Sequence, residues 1–130
     1  MRHATEKDLP DLVGLEQLLF EDNWLSDSSL LREIAAPGRN IVVGEPVQGY
    51  ILSRQTADVI DVTRLGIAPE AQGRGLGRLL LEAILLAADR PVMLNVRKTN
   101  ARALRLYHRC GFRVVAQIQD SWVMWWGPLA

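Results

Sequence analysis

The fold is decided by residues 62–86, VTRLGIAPEAQGRGLGRLLLEAILL. An apolar strand runs through a proline-marked turn into a glycine-rich loop, and a leucine-rich helix follows the loop. Gly73, Gly75 and Gly77 let a ligand approach the backbone closely and permit positive φ angles. The helix begins with unpaired N–H groups and about half a positive charge, so the stretch predicts a binding site for a phosphate or pyrophosphate.

Two known phosphate-binding loops do not match this stretch. A Walker loop ends in Gly-Lys-Ser/Thr, whereas Gly77 is followed by Arg78 and Leu79. A dinucleotide-binding fingerprint needs its third glycine at position 78, which is arginine. The remaining motif, QGRGLG at 72–77, is by itself also compatible with a flexible surface turn. The elements before and after the loop must therefore decide between a ligand site and a turn.

The composition predicts one compact domain over residues 1–130. The chain is 48% hydrophobic and 23% charged, enough to bury about two-thirds of its unfolded surface. Fifteen basic and fifteen acidic residues give a formal net charge of zero, so no overall charge attracts nucleic acid or a membrane. With one cysteine, Cys110, and two histidines, His3 and His108, we expect neither an internal disulfide nor a metal site. The N-terminus lacks a signal-peptide pattern, and we expect a soluble cytoplasmic protein.

Hydrophobic periodicity and capping residues predict the element order β-αα-βββ-α-β-α-ββ. The predicted strands span residues 2–4, 40–43, 47–54, 58–67, 91–96, 112–118 and 121–126. The predicted helices span residues 6–20, 27–36, 75–88 and 100–110. We expect the strands within 40–67 to form an antiparallel meander and the strand at 91–96 to lie parallel to the one before it. The helix at 75–88 is apolar enough that we expect it to be covered on more than one side.

The first helix and the loop after it supply two further expectations. Glu16 is assigned to the polar face of that helix. The loop carries Glu21, Asp22 and Trp24, an arrangement that predicts either an acceptor pocket or, as the favoured interpretation for Trp24, a partly buried anchor. Asp27 is expected with the two loop acids near the mouth of that pocket.

Two motifs together resemble the GNAT family of N-acetyltransferases. The glycine loop is similar to the family's Gln/Arg-x-x-Gly-x-Gly/Ala pyrophosphate loop, and residues 96–112 resemble its segment V-x-x-x-N-x-x-A-x-x-x-Y-x-x-x-G-F. The resemblance covers the whole chain and is strongest to the RimI-like branch, which acetylates protein N-terminal amines. It implies an α/β (α+β) single-domain fold with helices on both faces of a mixed sheet that splays between the fourth and fifth strands.

The resemblance also implies that acetyl-coenzyme A (acetyl-CoA) is the cosubstrate and enters the split in the sheet. The implied coenzyme contacts are Leu65, Gly66, Ile67, Gln72, Gly73, Arg74, Gly75, Leu76, Gly77, Arg78, Asn100 and Tyr107. Lys98 or Arg102 is placed to reach the 3′-phosphate. No metal is implied, and transfer is expected to be direct, within a ternary complex.

The family's catalytic tyrosine corresponds to Tyr107, which is expected to protonate the departing thiolate; the alternative is packing in the core. Backbone N–H groups near 65–67 would hold the oxyanion. RimI-like enzymes carry glutamate where this chain has Asn95, and an amide cannot accept a proton at neutral pH. Other branches place a glutamate on the preceding strand, at the position of Asp61, which is the remaining candidate base; the alternative is a solvated residue on an exposed strand face.

The weak base favours an acceptor of low pKa. Neutralising an α-amine of pKa about 7.8 at pH 7 costs about 1 kcal/mol, whereas a lysine of pKa about 10.4 costs nearly 5 kcal/mol. We therefore expect a peptide or protein N-terminus as the acceptor. The protein itself is expected to be a monomer or homodimer. A small-molecule amine (a polyamine, amino acid or aminoglycoside) and a non-catalytic acyl-CoA-binding module remain as alternatives.

Overall fold

The computed structural model describes residues 1–128 and contains seven strands and four helices in that range. The strands are β1 (Arg2–His3), β2 (Ile41–Val43), β3 (Gly49–Gln55), β4 (Ile60–Ile67), β5 (Val92–Arg97), β6 (Arg113–Ile118) and β7 (Ser121–Trp126). The helices are α1 (Leu9–Leu19), α2 (Asp27–Ala35), α3 (Leu76–Ala87) and α4 (Ala101–Arg109). The predicted element order is confirmed, and the last two residues of the expected domain lie outside the described residues.

All seven strands form one mixed sheet in the order β1-β2-β3-β4-β5-β7-β6. Strands β2, β3 and β4 are antiparallel neighbours, as the predicted meander requires. Strand β5 is parallel to β4 and antiparallel to β7, so the closing hairpin continues the sheet. The predicted mixed α/β fold is confirmed.

The sheet splays between β4 and β5. The two strands pair only through Ile60 with Val92, Asp61 with Met93 and Val62 with Leu94. Beyond Val62 the strands separate and leave the β5-facing edge of β4 without a strand partner. This is the predicted split, and it opens the site described below.

A β-bulge lies at the point where the strands separate. Leu52 pairs with Arg64 and Ser53 pairs with Val62, so Thr63 is an extra residue on β4. The Thr63 hydroxyl donates a hydrogen bond to the Leu52 carbonyl at 3.2 Å. Because strand side chains alternate between faces, the extra residue places Val62 and Leu65 on the same face although they are three positions apart.

Two apolar cores cover the two faces of the sheet. On one face, α3 and α4 pack over a cluster that includes the fully buried Leu80, Leu81 and Ile84. On the other face, α1 and α2 cover a cluster around Leu12 and Leu30, also fully buried. Each fully buried side chain of this kind contributes about 1.5–3 kcal/mol to folding. The predicted helices on both faces are confirmed.

Two sequence-based expectations about the helices are wrong. Helix α3 is not covered on more than one side: Leu86 is 88% exposed and Leu79 is 43% exposed. One buried stripe is enough to hold the helix on the sheet, and the remaining leucines face solvent. Glu16 does not lie on the polar face of α1 but is completely buried, because Tyr50 and Arg64 reach it from the neighbouring sheet.

Candidate active site

Two cavities open along the split in the sheet and meet inside it. The glycine-loop cavity, of about 720 Å³, lies between the loop before α3 and the helix α4. The splay cavity, of about 640 Å³, lies between the separated strands and the α1–α2 loop. The residues that line both cavities are Leu19, Phe20, Leu65, Asn100 and Tyr107. A molecule in one cavity can therefore reach a molecule in the other at this junction.

The glycine loop forms a cradle open to its cavity. Gly73 and Gly75 each have φ of +81°, and a Cβ built on either would meet no atom within 4 Å. The first backbone hydrogen bond of α3 is donated by Leu79 to the Gly75 carbonyl at 3.0 Å. The N–H groups of the preceding helical residues therefore have no acceptor within the helix. The open space above the loop, the positive φ angles of its glycines and the free N–H groups at the start of α3 together fit a pyrophosphate.

Gln72 and the arginines near it differ in their contacts and in whether they line the cavity. The Gln72 amide donates to the Ile67 carbonyl at 3.0 Å and accepts from Arg102 at 3.1 Å, which ties the loop to β4 and α4. Arg78 lines the cavity and pairs with Glu82 at 2.6 Å. Arg74 is exposed and is not among the lining residues.

Two arginines that line the glycine-loop cavity were not among the predicted coenzyme contacts. Arg105 and Arg109 line the glycine-loop cavity together with Arg102. The three arginines follow the i, i+3, i+7 spacing of one helix face, which is the signal that identifies them in the sequence.

The free edge of β4 forms the wall between the two cavities. Leu65, Gly66 and Ile67 line the glycine-loop cavity where β4 has separated from β5. A Cβ on Gly66 would lie 2.7 Å from the Tyr50 ring, so only glycine allows this approach. The open edge presents backbone groups to which an extended ligand can pair.

Asn100 and Tyr107 project from α4 into the junction. The Asn100 side-chain oxygen accepts from the Ala103 N–H at 3.2 Å, as the predicted helix cap requires, and its amide nitrogen is left to donate elsewhere. Tyr107 is 9% exposed, and its ring packs against Phe112 with centroids 6.0 Å apart. Burial raises the pKa of Tyr107 to about 12. The hydroxyl is therefore protonated at neutral pH and can donate a proton or a hydrogen bond.

The splay cavity has walls of opposite charge. Glu21 and Asp22 line it from the α1–α2 loop, and Arg97 lines it from β5 beside Asn95. Asp27, which was expected at the mouth, is not among the lining residues. Trp24 is also absent from the lining and is 43% exposed, so the expectation of a partly buried anchor is wrong.

Asp61 lies beside the splay cavity rather than on its surface. It precedes Val62, which lines the cavity, and it is itself half-buried on β4. Burial, and secondarily the charge of Glu33, raises the pKa of the Asp61 carboxyl, whereas Arg54 acts in the opposite direction. A raised pKa is the direction that suits a general base, and any proton transfer from the cavity would need a bridging water.

The buried Glu16 is the residue of this region that the sequence analysis misplaced. Its carboxylate accepts from the Tyr50 hydroxyl at 2.5 Å and from the Leu25 N–H at 2.7 Å. Arg64, which lines the splay cavity, lies 3.2 Å from the same carboxylate. The signal was present in the sequence, since Glu16 follows Leu12 and precedes Leu19 at helical spacing and so falls within the apolar stripe.

Two kinds of feature are absent from the described residues 1–128. Within that range no group of three His, Cys, Asp or Glu side chains is arranged to hold a metal ion. None of the helices in the same range is long and apolar enough to cross a membrane.

The comparisons with known proteins agree with the geometry. The family model described as an acetyltransferase (GNAT) domain matches residues 36–114. N-alpha-acetyltransferase RimI of Mycobacterium tuberculosis (strain ATCC 25618 / H37Rv) is 36% identical over 121 residues, covering 85% of this chain and 76% of the relative. Naa50 of Arabidopsis thaliana, solved with the bisubstrate analogue CoA-Ac-MVNAL, superposes with a TM-score of 0.85 at 22% identity, over 97% of this chain and 96% of that one. The ribosomal-protein-S18-alanine N-acetyltransferase of Escherichia coli superposes with a TM-score of 0.80 at 20% identity, over 96% of this chain and 90% of that one.

The chain belongs to the GNAT family. It is an N-acetyltransferase whose cosubstrate is acetyl-CoA, and the expected similarity to RimI is confirmed.

Proposed function

We propose that this enzyme acetylates the N-terminal α-amine of a peptide or protein. The observation that carries the proposal is that two cavities meet at Leu65, Asn100 and Tyr107. One of them fits a coenzyme, and the other leaves room for an acceptor beside it. The relatives support it, since RimI is named as an N-alpha-acetyltransferase and Naa50 was solved with a peptide joined to coenzyme A.

The residues that would hold the coenzyme follow from the cradle and the strand edge. The pyrophosphate would accept hydrogen bonds from the N–H groups of Gly73 to Arg78, and the arginines of α4 would face the remaining phosphate. The pantetheine arm would pair with Leu65–Gly66–Ile67, and the free Asn100 amide would donate to it from the other side. When bound, the coenzyme supplies an acetyl group activated as a thioester.

Tyr107 is proposed as the general acid. Tyr107 lines both cavities, so it lies where a leaving sulfur and an incoming amine would meet. Because burial raises the pKa of the Tyr107 phenol, its hydroxyl is protonated when the thiolate departs, and the positioned O–H can donate a hydrogen bond or a proton to the sulfur. Backbone N–H groups of the free β4 edge at 65–67 would hold the oxyanion.

Asp61 is proposed as the base that takes the acceptor's proton through water. Asn95 lines the cavity, but its side chain is an amide and cannot accept a proton at neutral pH. An α-amine reaches its neutral form at pH 7 for about 1 kcal/mol, which an indirect base can supply; a lysine needs nearly 5 kcal/mol. Glu21 and Asp22 would attract the acceptor's ammonium group to the cavity.

A coenzyme-release assay tests the proposal. Purified enzyme with acetyl-CoA is given three matched acceptors: a peptide with a free N-terminus, the same peptide N-acetylated but with an internal lysine, and simple amines such as spermidine. The proposal expects turnover only with the free N-terminus. Turnover of spermidine alone would identify a small-molecule acetyltransferase, and turnover of the N-acetylated lysine peptide would identify a lysine acetyltransferase. Either result would overturn the proposal.

A further inference from the structure

The buried Glu16 belongs to a cluster that joins three parts of the chain. Glu16 lies in α1, Arg64 in the separated part of β4, and Asn23 in the α1–α2 loop. Glu16 is completely buried, and the Arg64 side chain is only 15% exposed. Charges so far from water are stable only when they are paired and hydrogen-bonded.

The Arg64 guanidinium contacts three residues of α1 and the loop that follows it. It donates through Nη2 to the Asn23 carbonyl at 2.5 Å and through Nε to Glu16 Oε1 at 3.3 Å. It also stacks over the Phe20 ring, with Cζ 4.1 Å from the centroid. Although Arg64 lines the splay cavity, its charge is balanced by Glu16 and its donors are directed at the loop.

Glu16 holds the other end of the same loop. It accepts the Leu25 N–H at 2.7 Å, while Arg64 holds Phe20 and Asn23. The segment 20–25 is therefore fastened at its beginning, middle and end by one buried ion pair. This segment contributes Phe20, Glu21, Asp22 and Asn23 to the wall of the splay cavity.

We propose that Glu16 and Arg64 are positioning residues that set the acceptor-binding wall by holding the segment 20–25 against the open edge of β4. The proposal rests on the proposed function only in placing the acceptor in the splay cavity. Neither residue needs to touch the acceptor. Their effect on the acceptor passes through Phe20 and the two acidic residues that follow it, all of which line the splay cavity.

The test is the double variant Glu16→Gln/Arg64→Gln, which removes both charges and so leaves no uncompensated buried ion. We expect the KM for the acceptor to rise at least about tenfold, because small misplacements of a binding wall are costly. The affinity for coenzyme A, measured by calorimetry, should change by less than about threefold, because the glycine loop is not part of the cluster. Hydrogen exchange at the Leu25 amide should become faster, because the neutral amide that replaces the Glu16 carboxylate is a weaker hydrogen-bond acceptor.

A matched control separates positioning from simple stability. Arg2 and Asp8 form another ion pair, just before the start of α1, in which Asp8 is buried, the Arg2 side chain is 46% exposed and the two contacts are 2.7 and 2.8 Å. The double variant Arg2→Gln/Asp8→Asn should lower the melting temperature but leave the acceptor KM within about twofold of wild type. If both double variants raise the acceptor KM equally, the effect is general destabilisation and the proposal is wrong.

A milder variant covers the case in which the double variant does not fold. Arg64→Lys keeps the charge opposite Glu16 but loses the planar contact with Phe20 and the second donor. We expect an intermediate rise in the acceptor KM with the coenzyme affinity kept. An unchanged acceptor KM in Arg64→Lys or in the Glu16→Gln/Arg64→Gln variant would overturn the proposal.

The kinetic test uses whichever amine the wild-type enzyme acetylates. If that amine is not a peptide N-terminus, the proposed function fails while the role of the ion pair can still be measured. The exchange rate of the Leu25 amide tests the loop attachment without any substrate, so the two failures can be told apart.

Discussion

Replacing Tyr107 with phenylalanine should abolish most of the turnover and leave the fold intact. Among the described residues, no hydrogen bond joins the Tyr107 hydroxyl to another protein group, whereas its ring packs on Phe112. Tyr107→Phe therefore keeps the ring packing and breaks no protein hydrogen bond. We expect the free energy of unfolding to change by less than about 1 kcal/mol.

The expected loss of activity follows from the role of a general acid. Proton transfer by a positioned side chain contributes at least about 100-fold, so kcat should fall by about that factor, or about 2.7 kcal/mol in activation free energy. Coenzyme release under saturating acetyl-CoA and acceptor measures kcat, calorimetry measures coenzyme A affinity, and thermal unfolding measures stability. We expect kcat to fall, with little change in coenzyme A affinity or in thermal stability.

The pH profile gives an independent check on the same residue. Because burial raises the pKa of Tyr107 to about 12, the acid form persists through the alkaline range. Wild-type kcat should show no fall attributable to this group below about pH 10. A kcat within twofold of wild type in Tyr107→Phe, or a tenfold loss of coenzyme affinity with unchanged kcat, would refute the assignment of Tyr107 as the acid.

Three further substitutions test the rest of the site. Asp61→Asn should lower kcat at least about tenfold without lowering the melting temperature, since burial, which raises the pKa of this carboxyl, makes its charged form unfavourable for folding; activity within twofold would exclude Asp61 as the base. Asn95→Glu places a carboxylate on the cavity wall. Measured by coenzyme release, it should raise the turnover of lysine peptides more than that of peptides with free N-termini, because deprotonating a lysine costs nearly 5 kcal/mol. An equal change for both acceptors would contradict this reasoning. Gly73→Ala puts a methyl group into the cradle at a φ of +81° and should weaken coenzyme A binding at least about tenfold by calorimetry, whereas unchanged binding would show that the pyrophosphate lies elsewhere.

The parts of the fold that the sequence predicts are those coded by local signals. Asn100 is followed by a helix because its side chain caps the Ala103 N–H, and Gly111 ends that helix with φ of +96°. The glycine loop likewise carries its conformation in its own residues, since Gly73 and Gly75 adopt positive φ. Elements and cradle could therefore be located without knowledge of their neighbours.

The parts that the sequence did not predict depend on distant partners. The spacing of Glu16 places it in the apolar stripe, but the partners that make a buried carboxylate stable there, Tyr50 and Arg64, lie 34 and 48 residues away. The bulge at Thr63 is defined by the register of Leu52 on the adjacent strand. A helical pattern shows which residues of α3 are apolar, but whether Leu86 is covered depends on which elements the fold places beside it.

The proposed transfer of acetyl to an N-terminal α-amine can be tested with a single peptide. A peptide with both a free N-terminus and an internal lysine is incubated with the enzyme and acetyl-CoA, and the modified atom is located by fragmentation mass spectrometry. We predict that the α-amine is acetylated and the lysine left free, because the α-amine is easier to deprotonate by about 3.5 kcal/mol. Acetylation at the lysine with a free α-amine would contradict it.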